Sequence, residues 1–493
     1  MTNRRKALPL TITLSEAPGA APLKDQIYSA LFEKIKTGEL RPGDRLPSSR
    51  DLASTLGCGR VTVTAAFSRL TAEGFLMAGA GRGTIVAKPV SDRASVWTAE
   101  ALHGEAKPLA QRAATALAAR AFRVQSLRPF AVASPDFESL PGKKWTQIVA
   151  RVSKSPWLHN GYCEPGGHAP FREAIADYVR RARGINCTAE DVIVTSGIQQ
   201  GVTMCAQVLF NPGDTVVTED PGYWPHREAL AFNGLRTKSV SVGTADRLGW
   251  NTEEAVFAEA RGLLVTPCHQ YPLGYLMPPE KRRELLHWAA KNRAWLLEDD
   301  YDGELRYDGE PYPALASLDK DRSTVINLGS FSKMIYPGFN LGYLIAPKGL
   351  AKYFEGAHLL NDRHASEVHQ VIMSEFIAGG FYEAHLRRLK KLYESRRSTM
   401  MTEIERRLAP YGRLIPCRQG THLTFLFTET TDDRRLADYL RRLHGLEVRP
   451  LSACFAATFL SGLILGFAGF TEDQIRLNVK ELAKGIDHFL QMP

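Results

Sequence analysis

The chain has 493 residues, of which 44% are hydrophobic and 23% charged, and it carries a net charge of +9 at pH 7. These values are typical of a globular protein with two or three hydrophobic cores and argue against a single domain. The first 90 residues hold 13 Lys and Arg against 7 Asp and Glu. This basic segment suits a polyanionic partner, although a solvated basic face is the alternative.

Seven scattered cysteines form neither a CxxC pair nor a metal-ligand pattern with histidine. This spacing argues against a disulfide framework or a bound metal and favours a cytoplasmic protein. Residues 1–20 begin with a basic run, but the apolar stretch that follows is short and broken by Pro9, so we predict a flexible tail. Residues 451–470 carry no charge. Because Ser461 and Gly462 predict a turn between two short strands there, we expect no membrane span.

Three further segments follow the tail. Residues 21–88 form a compact unit, 89–125 a linker, and 126–493 a larger domain with a small C-terminal α+β subdomain from about residue 385. Within the larger domain, short apolar runs alternate with longer amphipathic segments. This pattern predicts an α/β fold with a mostly parallel sheet, whose ligand site lies at the strand ends. The runs are DVIVTSG, TVVTED, GLLVTP, AWLLEDD, TVINLGS and NLGYLIAP.

Residues 21–88 contain three segments with apolar residues at helical spacing. The second, RDLASTLG, and the third, RVTVTAAFSRLTAEG, are separated by Gly57-Cys58-Gly59, which permits a tight turn. Two short helices around such a turn form a helix-turn-helix. The extended stretch FLMAGAGRGTIVA follows directly and predicts a two-stranded wing, so the unit is a winged helix-turn-helix.

Five polar side chains of this unit are candidate contacts to a duplex DNA operator. Arg60, Thr62 and Thr64 occupy the start of the second helix of the motif, which enters the major groove in such domains. Arg50 precedes the turn and Arg82 lies at the tip of the wing. A single arginine is more often a solvated surface group, but helix, turn and wing together favour DNA binding.

This unit resembles the GntR family of winged-helix regulators. The resemblance is carried by GDRLPSSRDLASTLGCGRVTVTAAFSRLTAEGFL and by GRGTIV. Cys58 and Gly59 replace a Val-Ser or Val-Thr pair that is usual there, which removes one hydroxyl that contacts a phosphate.

The segment GSFSKMIYPGFNLGY, residues 329–343, carries the main chemical signal of the larger domain. Lys333 lies there in a Ser/Gly loop between two strands, where a lysine can hold an aldehyde cofactor as a Schiff base. A surface lysine is the alternative. Asp299 ends the strand AWLLEDD and Tyr301 follows it. Pyridoxal phosphate needs such a carboxylate against its pyridinium nitrogen and benefits from a phenol beside its ring oxygen.

The remaining cofactor contacts are predicted at other strand ends. Gly197 opens a helix whose first residues, Ile198 and Gln199, offer free amides to a phosphate. Ser330 and Ser332 can add hydroxyl donors. The aromatic ring of Tyr223, in EDPGYWP, can stack on the pyridine. Glu298 and Asp300 compete with Asp299, but cap or turn roles suit them better.

Together these segments resemble the MocR-type branch of the GntR regulators over residues 22–490. The resemblance implies a pyridoxal 5'-phosphate-dependent fold-type-I aminotransferase-like domain, with Lys333 as the aldimine lysine, Asp299 and Tyr301 as ring partners, and Tyr223 as the stacking residue. Similar proteins form head-to-tail homodimers.

Four positions depart from this family. Asn340, which we still expect to contact the cofactor, takes the place of an arginine that contacts its phosphate. Ile464 stands where true aminotransferases have the arginine that grips a substrate carboxylate. Leu273 replaces the threonine of a Pro-Thr-Gly turn. Pro225 stands where the GABA-responsive relative has a carboxylate-binding arginine.

Three functions remain open from the sequence. The protein can be a transcription regulator that senses a small amine or amino acid through the Lys333 aldimine, a sensor of pyridoxal phosphate itself, or an active aminotransferase with an accessory DNA-binding domain. A DNA-binding scaffold without cofactor is the remaining alternative. We assign no catalytic role to His168, His269 or His422, since a lone histidine is more often a core or turn residue.

Overall fold

The computed structural model describes residues 10–15, 21–79, 83–87, 108–120, 128–132, 134–140, 142–155, 161–244, 247–307, 312–456 and 460–492. Its internal contacts divide the chain into two compact units, Met1–Pro108 and Leu109–Pro493.

The first unit is a winged helix-turn-helix, as the sequence predicted. Its helices are α1 Leu23–Lys36, α2 Ser49–Thr55 and α3 Arg60–Ala72, and its antiparallel wing pairs β1 Leu76–Gly79 with β2 Gly83–Val86. Apolar residues at helical spacing on all three helices meet in one core with residues of the wing strands. Those buried residues include Ile27, Leu31, Leu52, Val63, Phe67, Leu70, Leu76 and Val86.

The local sequence accounts for both ends of α2. The Ser48 hydroxyl accepts a hydrogen bond from the amide of Asp51 at 3.1 Å, which caps the start of the helix. Gly57, with a φ of 63°, follows its end and turns the chain towards α3. These two features fix the angle at which α3 leaves the turn.

A seven-stranded sheet organises the second unit. Its strand order is β3-β11-β10-β9-β8-β4-β5, and only β11 among these strands runs antiparallel to its neighbours. The strands are β3 Val192–Thr195, β4 Thr215–Asp220, β5 Arg236–Ser241, β8 Ala260–Val265, β9 Trp295–Asp300, β10 Val325–Ser330 and β11 Gly342–Ile345. The short strands β6 Gly243–Thr244 and β7 Arg247–Leu248 form a separate pair. The predicted, mostly parallel sheet is therefore confirmed.

Helices cover both faces of this sheet, which explains why its strands are continuously apolar. Neighbouring residues of a strand point to opposite faces, so Leu296 belongs to one core and Leu297 to the other. The helices of this part are α4 Ala113–Ala119, α5 Gly142–Val152, α6 Ala169–Arg183, α7 Ile198–Leu209, α8 Trp224–Phe232, α9 Pro279–Asn292, α10 Ala351–Asn361 and α11 Glu367–Ala378.

A smaller α+β region follows the long helix α12 Phe381–Leu408, as predicted. Its four-stranded antiparallel sheet has the order β12-β13-β15-β14. The strands are β12 Gly412–Leu414, β13 His422–Phe427, β14 Arg449–Pro450 and β15 Gly462–Gly466, and the helices are α13 Asp433–Tyr439 and α14 Glu472–Leu490.

The prediction of two strands within residues 451–470 is wrong in its first half. Leu451–Cys454 is a 3₁₀ turn, in which Leu451 and Cys454 are buried at the threefold spacing of that helix. The carboxylate of Asp433 accepts from the amide and the hydroxyl of Ser452, which holds the turn in place. No helix in the described parts of the chain is both long and apolar enough to cross a membrane.

Candidate functional site

One cavity of about 350 Å³ lies at the carboxyl ends of the strands of the large sheet. Parallel strands bring the residues that follow them to the same edge, so segments distant in sequence meet there. All ten side chains or backbone positions predicted to bind the cofactor line this cavity. They are Gly197, Ile198, Gln199, Tyr223, Asp299, Tyr301, Ser330, Ser332, Lys333 and Asn340.

Lys333 follows the end of β10 and projects its amine into this cavity. Burial, with a further contribution from the positive charge of Arg449, lowers the pKa of Lys333 to about 8. A substantial fraction of the amine is therefore neutral near physiological pH, as a nucleophile that attacks an aldehyde must be.

Asp299 lines the cavity with only 5% of its surface exposed. Its Oδ1 has no hydrogen-bond partner among the described residues, and its Oδ2 lies 3.7 Å from Nδ1 of His226. Burial lowers the pKa of His226 to about 3, so this imidazole is neutral. Burial and the neighbouring Asp300 raise the pKa of Asp299. An unpartnered buried carboxyl oxygen is costly, and a cationic N–H donor placed in the cavity satisfies it.

The two competing carboxylates are engaged elsewhere. Both oxygens of Glu298 accept backbone amides, from Leu315 at 2.5 Å and Ala316 at 2.9 Å. Asp300 forms a bidentate ion pair with Arg183, at 2.7 and 2.9 Å. Asp299 is therefore the carboxylate of this strand that faces the cavity.

Tyr301 contacts His269, a histidine to which sequence reasoning gave no role. Nδ1 of His269 lies 2.9 Å from the Tyr301 hydroxyl and 2.8 Å from Oδ2 of Asp302. Burial by itself lowers the pKa of His269, but the neighbouring Asp302 and Cys417 outweigh burial and raise this pKa to about 10. The protonated ring stacks on Tyr301 at 5.6 Å and on His422 at 5.3 Å. These contacts fix the orientation of the Tyr301 phenol towards the cavity.

The start of α7 forms a cradle of backbone amides. Gly197 caps this helix with a φ of 83°, which few residues other than glycine adopt. A Cβ at this position would meet Oδ1 of Asn340 at 3.1 Å, so the side chain of Asn340 lies directly beside the cradle. Ser330 and Ser332 line the same part of the cavity, which gives it hydroxyl, amide and helix-dipole groups for a phosphate.

Aromatic rings and an arginine also line the cavity. Tyr223 packs edge-on against Tyr271, with ring centroids 5.3 Å apart, and against His226 at 4.8 Å. The Tyr271 hydroxyl accepts a hydrogen bond from Nη1 of Arg449 at 2.7 Å. Sequence reasoning did not assign Tyr271 or Arg449 a role. Tyr271 lies in the loop after β8, whereas Arg449 lies on β14, which pairs with β15.

The predicted DNA contacts lie on α2 and α3. Arg50, Arg60 and Thr64 are exposed, Thr62 is half-buried, and Nε of Arg60 lies 3.4 Å from the hydroxyl of Ser49. Arg82 falls outside the described residues. Val61, which sequence reasoning did not single out, is 83% exposed beside Arg60, where an apolar side chain can contact a thymine methyl group.

Comparisons with known proteins match both units. Residues 23–86 match the bacterial regulatory proteins of the gntR family, and residues 138–482 match the aminotransferase class I and II family. The probable rhizopine catabolism regulatory protein MocR of Rhizobium meliloti is 31% identical over 94% of this chain and 93% of its own length. This chain belongs to the MocR-type GntR regulators.

A second relative covers almost the whole MocR-type chain. The pyridoxine biosynthesis transcriptional regulator PdxR of Corynebacterium glutamicum is 30% identical over 97% of this chain and 98% of its own length. Among solved structures, LysN, the α-aminoadipate aminotransferase of Thermus thermophilus, has a TM-score of 0.71 at 23% identity and covers 78% of this chain and 98% of its own. This likeness shows that the second unit has the fold-type-I aminotransferase fold.

Membership of these families makes the protein a helix-turn-helix transcription regulator whose cofactor is pyridoxal phosphate. Independently of the family, the residues that line the cavity fit this cofactor. The unpartnered Oδ1 of Asp299 suits a pyridinium N–H, the amine of Lys333 suits the aldehyde, and the Gly197 cradle suits the phosphate. The residues of this MocR-type chain therefore complement each polar part of the group.

Proposed function

We propose that this MocR-type regulator senses a small amine or amino acid at Lys333 and changes its binding to operator DNA in response. One observation carries the proposal. The amine of Lys333 and the unpartnered carboxyl oxygen of Asp299 face one cavity, in a chain that also holds a GntR-type DNA-binding unit.

The chemistry of the response is an exchange between two primary amines. Pyridoxal phosphate, held by Asp299, Tyr301 and the Gly197 cradle, would supply an aldehyde carbon. Either the Lys333 amine or the amine of an effector could condense with that carbon, with release of water and no net oxidation or reduction. The carboxylate of Asp299 would accept a hydrogen bond from the pyridinium N–H, and the Gly197 cradle would bind the phosphate. The contact with His269 orients the phenol of Tyr301. Lys333, with its pKa lowered to about 8, accepts the proton when an effector displaces it.

The test compares operator binding of the wild type and Lys333→Ala with and without a panel of primary amines, on DNA found by footprinting upstream of the protein's own gene. We expect an amine to change wild-type affinity by roughly 5- to 150-fold and to leave Lys333→Ala unaffected. Lys352→Ala, which removes an exposed lysine of α10, is the control. A Lys333→Ala protein that responds to every amine as the wild type does would contradict the proposal.

A second candidate is that pyridoxal phosphate itself is the signal. Asn340 beside the phosphate cradle favours it, because replacing an arginine removes a charged hydrogen bond and loosens cofactor retention by roughly 10- to 100-fold. The name of the relative PdxR, a regulator of pyridoxine biosynthesis, supports the same idea. Equilibrium dialysis distinguishes the two candidates, since a near-irreversibly held cofactor argues against a cofactor sensor.

Catalytic turnover is a separate question from sensing. Incubating the loaded protein with an amino acid and a keto acid, and following the keto acid product, separates a working aminotransferase from a protein that exchanges amines once. Multiple turnovers would favour the enzyme.

We infer that Arg50, Arg60, Thr62, Thr64 and Arg82 contact the operator. The exposed positions of Arg50, Arg60 and Thr64 on α2 and α3 support this assignment.

We also infer a homodimer. Exposed apolar side chains support a protein interface in the second unit; they include Tyr162, Tyr353, Leu359 and Leu360. Light scattering coupled to gel filtration measures the mass, and a monomer at micromolar concentration would contradict the inference.

A further inference from the structure

The strand position that should grip an effector's carboxylate carries no charge in this chain. By the resemblance to true aminotransferases, an arginine that grips the substrate carboxylate would stand at position 464, where this chain has isoleucine. Ile464 lies in the middle of β15, is fully buried, and belongs to the hydrophobic core of the second unit. It offers no group that can bind an anion.

The neighbouring strand brings an arginine to the same place. β14 pairs with β15 in antiparallel register, and Arg449 lies directly opposite Ile464. Directly opposed residues of an antiparallel pair project from the same face of the sheet, with Cβ atoms about 4.5–5.5 Å apart. The side chain of Arg449 therefore starts one strand away from the expected position and points to the same side.

The guanidinium of Arg449 reaches the cavity that holds Lys333. Arg449 lines this cavity, and its Nη1 donates to the Tyr271 hydroxyl at 2.7 Å. Burial lowers the pKa of Lys333, and the positive charge of Arg449 lowers it further. Burial raises the pKa of Tyr223, and the same charge opposes that rise. The arginine thus lies near the reactive amine and contacts one of the aromatic rings that line the cavity.

From this geometry we propose that Arg449, supplied by the neighbouring strand, binds the carboxylate of the effector while the amine of the effector is exchanged at Lys333. The inference rests on the function proposed above and narrows the effector from any small amine to an amino acid. The planar fork of a guanidinium matches a carboxylate in a bidentate geometry, which a single ammonium does not.

The experiment measures affinity for matched pairs of ligands with and without a carboxylate, through the absorbance of the bound cofactor. The pairs are L-alanine with ethylamine, 3-aminopropanoate with propylamine, and 4-aminobutanoate with butylamine. In the wild type, we expect the amino acid of at least one pair to bind roughly 10- to 100-fold more tightly than its amine. Arg449→Met should abolish this preference, so that the amino acid and the amine of each pair bind within about threefold of one another.

A second variant tests the role of Arg449 in case Arg449→Met does not fold. Arg449→Lys retains the buried charge but not the bidentate fork, so we expect it to lose at least fivefold of the preference while retaining the far-ultraviolet circular dichroism of the wild type. Operator binding, measured by fluorescence anisotropy with each ligand, should show the same ranking of ligands as the absorbance.

Three results would overturn the inference. The first is a wild type that binds both members of every pair equally, and the second is an Arg449→Met variant that retains the preference. The third is an Arg449→Met variant whose affinity for pyridoxal phosphate itself falls more than tenfold, which would make Arg449 a cofactor ligand. A wild type that responds equally to both members of each pair leaves amine sensing standing and removes only the role of Arg449. A wild type that responds to no amine at all removes both proposals.

Discussion

At the scale of single residues, the environment of each ionisable group in the cavity decides its role. Three consecutive carboxylates end β9, and the structure gives each a different partner. Glu298 accepts backbone amides, Asp300 pairs with Arg183, and Asp299 keeps an oxygen without a partner among the described residues. Since identical chemical groups acquire different roles from their surroundings, the identity of the cofactor partner depends on side-chain direction as well as residue type.

The pKa of Lys333 predicts how fast the cofactor-free protein captures pyridoxal phosphate. Only the neutral amine attacks an aldehyde, and burial with Arg449 lowers the pKa to about 8. The rate at low cofactor concentration should therefore rise with pH through a midpoint near 8 and fall about tenfold per unit below it. Stopped-flow absorbance between pH 6.5 and 9.5 measures this rate.

A free lysine amine, with a pKa near 10.4, provides the comparison for that profile. Arg449→Met should raise the midpoint, because it removes a positive charge that disfavours protonation of Lys333. A wild-type rate that continues to rise in proportion to hydroxide up to pH 9.5 would show that Lys333 has an ordinary pKa.

At the scale of elements, one buried ion pair joins the end of α6 to the end of β9. Arg183 donates to both carboxyl oxygens of Asp300 and to the carbonyls of Gly303 and Tyr312. The loop that follows Asp299 and carries Tyr301 is thereby attached to a helix. This attachment keeps the cofactor-facing residues in place.

Arg183→Met should destabilise the protein by about 3–5 kcal/mol, because it leaves the buried carboxylate of Asp300 without its partner. Arg476→Met is the matched control. Arg476 pairs with Asp473 on the surface of α14, with side chains 50% and 89% exposed, and its loss should cost about 0–1 kcal/mol. Urea denaturation followed by tryptophan fluorescence measures both, and equal losses would refute the assignment.

Helix α3, the second helix of the helix-turn-helix motif, is the basis of a second prediction at this scale. Arg60→Ala should weaken operator binding by roughly 5- to 100-fold and, if Arg60 contacts a phosphate, reduce the slope of log affinity against log salt by about one. Lys24→Ala, an exposed cation at the start of α1, should change affinity less than twofold. Fluorescence anisotropy at several salt concentrations gives both quantities, and unchanged affinity in Arg60→Ala would exclude a contact.

At the scale of the whole molecule, a regulator must couple two sites, and this coupling is reciprocal. If an amine changes the affinity for the operator by a given factor, the operator must change the affinity for the amine by the same factor. Titrating the cofactor absorbance with amine, with and without saturating operator, should therefore give a ratio equal to that from the DNA titration. Random DNA of equal length is the control, and unequal ratios at equilibrium would exclude a two-site coupling.

Much of the fold could be predicted from sequence because its signals are local. Helical spacing in residues 21–88, glycine turns, and short apolar runs at regular intervals each report the conformation of their own segment. One segment was predicted wrongly because local signals do not report contacts with other segments. Leu451–Cys454 lies in an apolar run that predicts a strand, but the carboxylate of Asp433, 19 positions before Ser452, holds it as a 3₁₀ turn.

The sequence by itself determined the family, the two units, and a cofactor set in which Lys333 and Asp299 are recognisable, since motif residues follow strand ends that meet at one edge of a parallel sheet. Only the tertiary structure decided which groups surround them. His269 reaches Tyr301 from 32 positions earlier in the chain, and Arg449 comes to lie opposite Ile464 through the pairing of β14 with β15. A one-residue change of strand register would turn Arg449 to the other face, and no local pattern encodes that register.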